Sequence, residues 1–228
     1  MSEDPTRGYY RILDAAANRA GEGLRTLEEY ARFVLNDADL TEQLKRLRHQ
    51  LTDALAPVSR EHLLAARDTP GDVGTTITLD SEQQRQSAED VVAAAAARTQ
   101  QSLRCLEEYC KTIDGTAAAR IEQLRYQSYS LFAALELQQI VHSRRSRIAH
   151  ASVYVLIDCG TSEEQFAARV QTLADAAADA LQLRDPDCDD RTLYRRACVA
   201  AKLLHLSETI LIINDRPDIA ASAGADGV

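Results

Sequence analysis

An internal duplication constrains this chain more than any other feature. Leu24-Arg25-Thr26-Leu27-Glu28-Glu29-Tyr30 returns 79 residues later as Leu103-Arg104-Cys105-Leu106-Glu107-Glu108-Tyr109. A second marker, Leu47-Arg48-His49-Gln50, returns 77 residues later as Leu124-Arg125-Tyr126-Gln127. Two markers at nearly one offset imply a repeated structural unit that packs against its own copy. Leu24, Leu27 and Ala31 fall at i, i+3 and i+7, and so do Leu103, Leu106 and Cys110. Both sets are the apolar stripe of a helix. Each unit is therefore expected to be a pair of helices, the first over residues 8–35 and 38–56, the second over 82–113 and 116–143. Two duplicated hairpins pack most simply as a four-helix bundle with a pseudo-twofold axis.

The repeated polar residues admit two readings. Arg25 precedes Glu28 and Glu29 by three and four positions, so they share a helix face, and Arg104 repeats this with Glu107 and Glu108. They can form a structural ion-pair lattice. Alternatively, Arg25, Arg48, Arg104 and Arg125, with Tyr30 and Tyr109, can line a pocket for an anion, since guanidinium binds phosphate bidentately. Between the hairpins runs Arg67-Asp68-Thr69-Pro70-Gly71-Asp72-Val73-Gly74-Thr75-Thr76. Pro-Gly and the second glycine force a loop. It is either a polar crossover or a second source of anion ligands, through Arg67 and Thr69. It lacks the spacing of a phosphate-binding P-loop.

Near residue 148 the pattern changes from helical spacing to short β-branched runs alternating with helical stretches. The domains expected are an α-helical bundle over 1–147 and an α/β unit over 148–228. The formal charge of −9 argues against general nucleic-acid binding. The run Arg144-Arg145-Ser146-Arg147 suits a helix end or linker. No apolar run is long enough to span a membrane. The first residues, Met1-Ser2-Glu3-Asp4-Pro5, do not resemble a secretory signal. Five cysteines without a C-x-x-C pair suggest reduced thiols in a cytoplasm, with neither a disulfide framework nor a zinc site.

The second half reads as regular β–α alternation, which implies a parallel sheet. Strands are expected at 153–157, 180–184 and 209–213, with a fourth beginning at 225–228. Helices are expected at 163–178, 190–205 and 217–223. Polar residues follow the strands: Asp158, then Gln182 with Arg184, then Asn214 with Asp215, then Asp226. In a β/α barrel, inward polar groups at the C-terminal strand ends read as ligands. Taken singly, Asp215 could instead cap the helix that Pro217 opens, and Asp226 could be a turn residue.

These residues resemble a known family. Leu181-Gln182-Leu183-Arg184-Asp185, Ile212-Ile213-Asn214-Asp215-Arg216 and Gly224-Ala225-Asp226-Gly227-Val228 resemble the Q-x-R, I-N-D-R and A-D-G-V motifs of thiamine-phosphate synthases. The resemblance covers residues from about 150 onward. The first half resembles a helical domain fused ahead of some of these enzymes, through Asn18-Arg19, the Leu-Glu-Glu-Tyr repeat and Arg67-Asp68-Thr69-Pro70-Gly71-Asp72-Val73-Gly74. The resemblance implies a TIM (β/α)8 barrel and a transferase of thiamine biosynthesis. Hydroxymethylpyrimidine diphosphate would join thiazole phosphate, releasing diphosphate by a dissociative path. It further implies that Asp215 and Asp226 hold magnesium, that Arg184 binds the departing diphosphate, and that Gln182 and Asn214 orient substrate.

Two departures qualify that expectation. Where the family usually has lysine, two residues after the arginine of Q-x-R, stands Pro186, which supplies no charge. Residues 151–228 are also too few for an eight-unit barrel, which takes about 200 residues or more. The chain as it stands is therefore expected to be an inactive fragment. Its exposed sheet edge would favour homo-oligomers. The alternatives are a thiazole tautomerase of the same superfamily and a pyrimidine-phosphate binding or scaffold module in the helical half.

Overall fold

The computed structural model describes residues 5–76 and 84–228. Residues 1–4, which carry the reading of the N-terminus, lie outside them. So do residues 82–83, where the third bundle helix was expected to begin, and the side chains of Thr75 and Thr76. The chain divides into two compact units, Met1–Gln139 and Ile140–Val228.

In the first unit, α1 (Pro5–Phe33), α2 (Ala38–Ala54) and the short α3 (Arg60–Ala66) precede α4 (Ala88–Cys110) and most of α5 (Gly115–Ala149). Local chemistry sets the ends. Asn36 in a left-handed conformation turns the chain after α1, and the Asp37 carboxylate caps α2 by accepting from the Leu40 N–H. Ser87 caps α4 in the same way, accepting from Asp90. Leu24, Leu27, Leu103, Leu106 and Cys110 are fully buried in one apolar core, as their spacing implied. α3 was not foreseen, because seven residues are too few to show a helical period. Part of the expected crossover loop is a 3-10 turn at Val73–Thr76.

α1 packs against α2, α3 and α4. It approaches α4 closely at Gly23. A Cβ there would lie 2.1 Å from the Thr99 hydroxyl oxygen and 3.0 Å from the Ala95 carbonyl oxygen. The Thr99 hydroxyl already donates to that carbonyl at 2.8 Å, so it cannot swing aside without losing a buried hydrogen bond.

The duplicated motif carries a duplicated ion cluster. Glu28 is buried and accepts from Arg25 on its own helix at 3.4 Å and from Arg48 on α2 at 3.0 Å. Glu107 is buried and accepts from Arg104 at 2.7 Å and from Arg125 on α5 at 2.7 Å. Tyr129 accepts from Arg125 at 3.0 Å, and Tyr126 lies under its guanidinium. Burial pushes the Glu107 carboxyl up. Hydrogen bonds from Arg125, Lys111 and Arg104, with the charge of Arg125, outweigh it and hold the group below the ordinary glutamate range.

The second unit begins inside α5, whose last turns carry Arg144 and Arg147. It continues β1 (Tyr154–Ile157), α6 (Glu163–Asp175), β2 (Ala180–Leu183), α7 (Asp190–Leu204), β3 (Ile210–Ile213) and α8 (Pro217–Ala223). The strands form a parallel sheet in the order β1-β2-β3, with Ile157, Leu183 and Ile213 in register. The expected fourth strand is a single parallel bridge, Gly227 to Ile212. Ile157, Leu183 and Ile213 turn toward the helices and are buried with Phe166, Val170 and Ala197. On the other face Tyr154 and Leu156 are exposed, while Ala180 and Ile210 are buried. The architecture is thus mostly helical with a small three-stranded parallel sheet.

Glu107→Gln should lower stability toward urea by about 3 kcal/mol, because it leaves a buried arginine without its carboxylate. Glu28→Gln should cost less, since the Arg48 side chain is 26% exposed against 9% for Arg125. Because the folded-state pKa of Glu107 is depressed, its contribution is complete above the unfolded value and lost as pH falls through the folded one. Urea midpoints should therefore drop below about pH 4.5, with a smaller drop in Glu107→Gln. Gly23→Ala should cost about 2 kcal/mol through overpacking. Adding Thr99→Ala to it should cost less than the sum of the two single changes.

Candidate functional site

The parallel ladder continues one residue beyond the strands. The Arg184 N–H donates to the Ile157 carbonyl at 2.9 Å, and the Asn214 N–H donates to the Leu183 carbonyl at 3.0 Å. This brings Asp158, Arg184 and Asn214 to one level at the C-terminal rim. Side chains alternate along a strand, so these three follow Leu156, Gln182 and Ile212 on the face the helices leave open. Gln182 and Asn214 are half-buried; Arg184 and Asp215 are exposed.

Asp215 sits just past the rim in a left-handed conformation, φ 54°. Asparagine and aspartate tolerate that region better than most residues. The Asn214 amide donates to its carboxylate at 2.9 Å. Asp215 does not cap α8, since the residue preceding that helix is Arg216 and no side chain caps it.

The rim arginines divide sharply. Arg169 pairs with Asp158 at 2.8 Å. That bond, the Gly160 N–H and the arginine charge hold the Asp158 carboxyl below its usual range. Arg196 pairs with Glu163 at 3.1 Å, and Arg216 is shared by Asp190 and Asp218. The Arg184 side chain makes no hydrogen bond or ion pair among the described residues. A free guanidinium level with an asparagine and beside a carboxylate is an arrangement that can receive an anion.

Asp226 stands elsewhere, which corrects its placement beside Asp215. Its carboxylate accepts from the Leu211 N–H at 2.9 Å and pairs with Arg144 at 3.2 Å. Gly227 pairs with Ile212, so Asp226 is level with the second residue of β3. Asp215 lies four residues further on in the chain than Leu211, in the turn that follows β3. Magnesium ligands stand about 2.1 Å from the ion, while the bonds to Leu211 and Arg144 hold Asp226 toward the other end of β3 from Asp215. The physical reason is strand polarity. A motif that opens a parallel strand lies at the N-terminal rim, and its position in the sequence already carried that signal.

Of the six residues proposed for a helical anion site, the five arginines are divided among Glu28, Glu107 and Asp14. Arg25 and Arg48 gather on Glu28, and Arg104 and Arg125 gather on Glu107. Arg67 grips Asp14 with two hydrogen bonds, at 2.8 and 2.7 Å, and Thr69 is exposed on the loop. The structure instead shows a cavity of about 740 Å³ lined by Ala16, Arg19, Arg85, Ala94, Ala97, Arg98, Gln101, Ser102 and Cys105. Arg19 and Arg98 are separated by the repeat offset of 79 residues, so they are equivalent positions facing one space. Neither makes a hydrogen bond or ion pair among the described residues. Burial pushes the Cys105 thiol up, against the charge of Arg19. The repeat offset could have revealed this pair, but Arg19 and Arg98 lie outside the matched motif.

Among the described residues, no helix is long and apolar enough to cross a membrane. Comparison with known proteins gives a consistent result. A family model described as "ThiD2 family" matches residues 11–134, and one described as "Thiamine monophosphate synthase" matches residues 153–228. A thiamine-phosphate synthase of Rhodopirellula baltica is 52% identical over 229 residues, covering all of this chain and 61% of its own length. Thiamine-phosphate synthases of Synechocystis and Nostoc punctiforme are each 38% identical over 228 residues, covering all of this chain and 63% and 62% of theirs. The chain thus spans about three-fifths of the length of these curated relatives. No solved structure matches it.

Asp226→Ala should lower thermal stability by about 1–2 kcal/mol, the value of a charge-assisted hydrogen bond. It should leave any magnesium dependence of the protein unchanged. Metal titration of the variant beside the parent checks both.

Proposed function

The chain belongs to the ThiD2 family, and from that membership and the sheet rim described above we propose that it is part of a thiamine-phosphate synthase whose second unit opens a (β/α)8 barrel. The observation that carries the reading is the free Arg184 guanidinium beside Asn214 and Asp215, on a rim where Arg169, Arg196 and Arg216 are paired. The Q-x-R and I-N-D-R motifs bring these residues together, and the relatives that cover the whole chain bear the synthase name. The open sheet face, with Gln182, Leu156 and Tyr154, is the face that a closed barrel would turn inward. All five cysteines are unpaired, as a reducing cytoplasm would leave them.

In this reading hydroxymethylpyrimidine diphosphate enters at the C-terminal rim. Arg184 engages the diphosphate through two guanidinium N–H groups, and Gln182 and Asn214 orient the pyrimidine through their amides. As the diphosphate departs, negative charge grows on it, and a guanidinium already in place stabilises that charge without reorganisation. Thiazole phosphate then captures the pyrimidine carbon. The donor set fits magnesium through Asp215 alone, with the Asn214 side-chain oxygen as a second oxygen donor. Magnesium is commonly held by one or two carboxylates and substrate phosphates, and would supply charge neutralisation for the diphosphate. Asp226 takes no part. Pro186 offers no cation, so Arg184 carries more of the leaving-group charge than it would beside a lysine.

A second reading concerns the helical unit. Arg19 and Arg98, equivalent by the duplication and free of acidic partners, suit a phosphate group in the cavity between α1 and α4. That would make the unit a binding module for a pyrimidine phosphate.

In the full gene product, Asp215→Ala should abolish magnesium-dependent formation of thiamine phosphate. Arg184→Ala should lower kcat by about 10²–10³, the cost of losing one preorganised donor to developing charge. Retained activity in Asp215→Ala removes the metal assignment. Calorimetry with hydroxymethylpyrimidine phosphate should show heat that disappears in Arg19→Ala/Arg98→Ala. No heat at millimolar ligand overturns the helical reading.

A further inference from the structure

Two loops of the second unit bring together side chains that neither the rim chemistry nor the family motifs use. Cys159 follows β1 by two residues, and Asp185 and Cys188 lie in the loop between β2 and α7. The two sulfurs and a carboxylate oxygen all lie within 4.8 Å of one another. Cys159 is buried; Asp185 and Cys188 are half-buried.

The surrounding bonds aim these groups inward. One Asp185 oxygen accepts from the Cys159 N–H at 3.0 Å, and the other accepts from the Asp187 N–H at 3.1 Å. The Cys159 carbonyl accepts from the buried Arg196 at 2.8 Å. Both loops are thus held from the backbone, with the three donor atoms gathered within 4.8 Å of one another. From this convergence we infer that Cys159, Asp185 and Cys188 form a site for a borderline-soft divalent cation of the zinc class.

Ligand softness selects the ion. Two thiolates and one carboxylate favour zinc over magnesium or calcium, which take oxygen ligands. In a tetrahedral zinc site with Zn–S near 2.3 Å, the sulfurs stand roughly 3.8 Å apart. The observed grouping already holds the sulfurs within 4.8 Å of one another, and water would take the fourth position. Binding releases the two thiol protons to solvent and leaves sulfur at its reduced level, so no oxidant is required. Burial, and then the neighbouring Cys188 and Asp185, push the Cys159 thiol up. A cation removes that penalty, since it pays for gathering negative charge at a buried point. The bound ion would staple the β1–α6 loop to the β2–α7 loop. Asp158 directly precedes Cys159, and Arg184 directly precedes Asp185, so the staple would fix the rim. The site does not depend on the synthase reading.

The test uses the purified chain, reduced and stripped of metal, titrated with Co2+ as a spectroscopic probe and then with Zn2+ or Mg2+ as competitor. The expected result is one Co2+ per chain with sulfur-to-cobalt charge-transfer bands, displaced by Zn2+ and not by Mg2+. Cys188→Ser should remove the bands. Asp185→Asn should weaken binding by roughly tenfold or more, and Cys198→Ser should match the parent. Cys188 is half-buried, so its serine variant tests the site even where the buried Cys159→Ser fails to fold. Absence of charge-transfer bands at stoichiometric Co2+ overturns the inference. So does equal uptake by Cys188→Ser, or Mg2+ competing as well as Zn2+.

Discussion

Each helical hairpin of the first unit is closed by one buried glutamate held between two arginines, one from its own helix and one from the next. The apolar stripes would let the helices slide and rotate; a carboxylate with two fixed partners does not. A buried ion pair costs desolvation, so its stabilising value over an apolar packing is small. Its value for register is larger, because any misplacement strands a charge in the core. That explains why the arginines and glutamates recur with the leucines in both copies. It also explains why the arginines that look most available in the sequence are the ones the structure has already occupied.

In the second unit the governing constraint is the polarity of a parallel sheet. Every strand enters at one rim and leaves at the other, so a residue's position along its strand decides which rim it serves. Arg184 and Asn214 come after their strands and share a rim because the ladder runs one residue further. Asp226 comes before the body of its strand and serves the opposite rim, fixed by Leu211 and Arg144. Arg169, Arg196 and Arg216 are neutralised by nearby acids. Arg184 escapes because the Asp185 carboxylate beside it accepts from backbone N–H groups of both loops.

Much of the fold was legible in the residues. Core positions followed from the 3.6-residue period, and the β–α alternation placed all three strands and three helices of the second unit to within a few residues. In the structure Asp37, Ser87, Ser162 and Asp189 cap the helices that follow them. The α3 helix was not legible, because one short turn of apolar residues is too brief to establish a period. Of the rim residues, Gln182, Arg184, Asn214 and Asp215 were legible as strand-end polar groups. The pairing of Cys159 with Cys188 was not, since their convergence depends on two loops set by different strands.

The sequence by itself determined the duplication, the two kinds of architecture and the inventory of polar groups, because periodicity and local capping act over a few residues. Only the tertiary structure decided which charges were spent and which were free. Glu28 and Glu107 claimed four arginines, and Arg19 and Arg98 were left facing a cavity. Partnering is a competition across space among groups far apart in the chain, and its outcome depends on distances that no local pattern records.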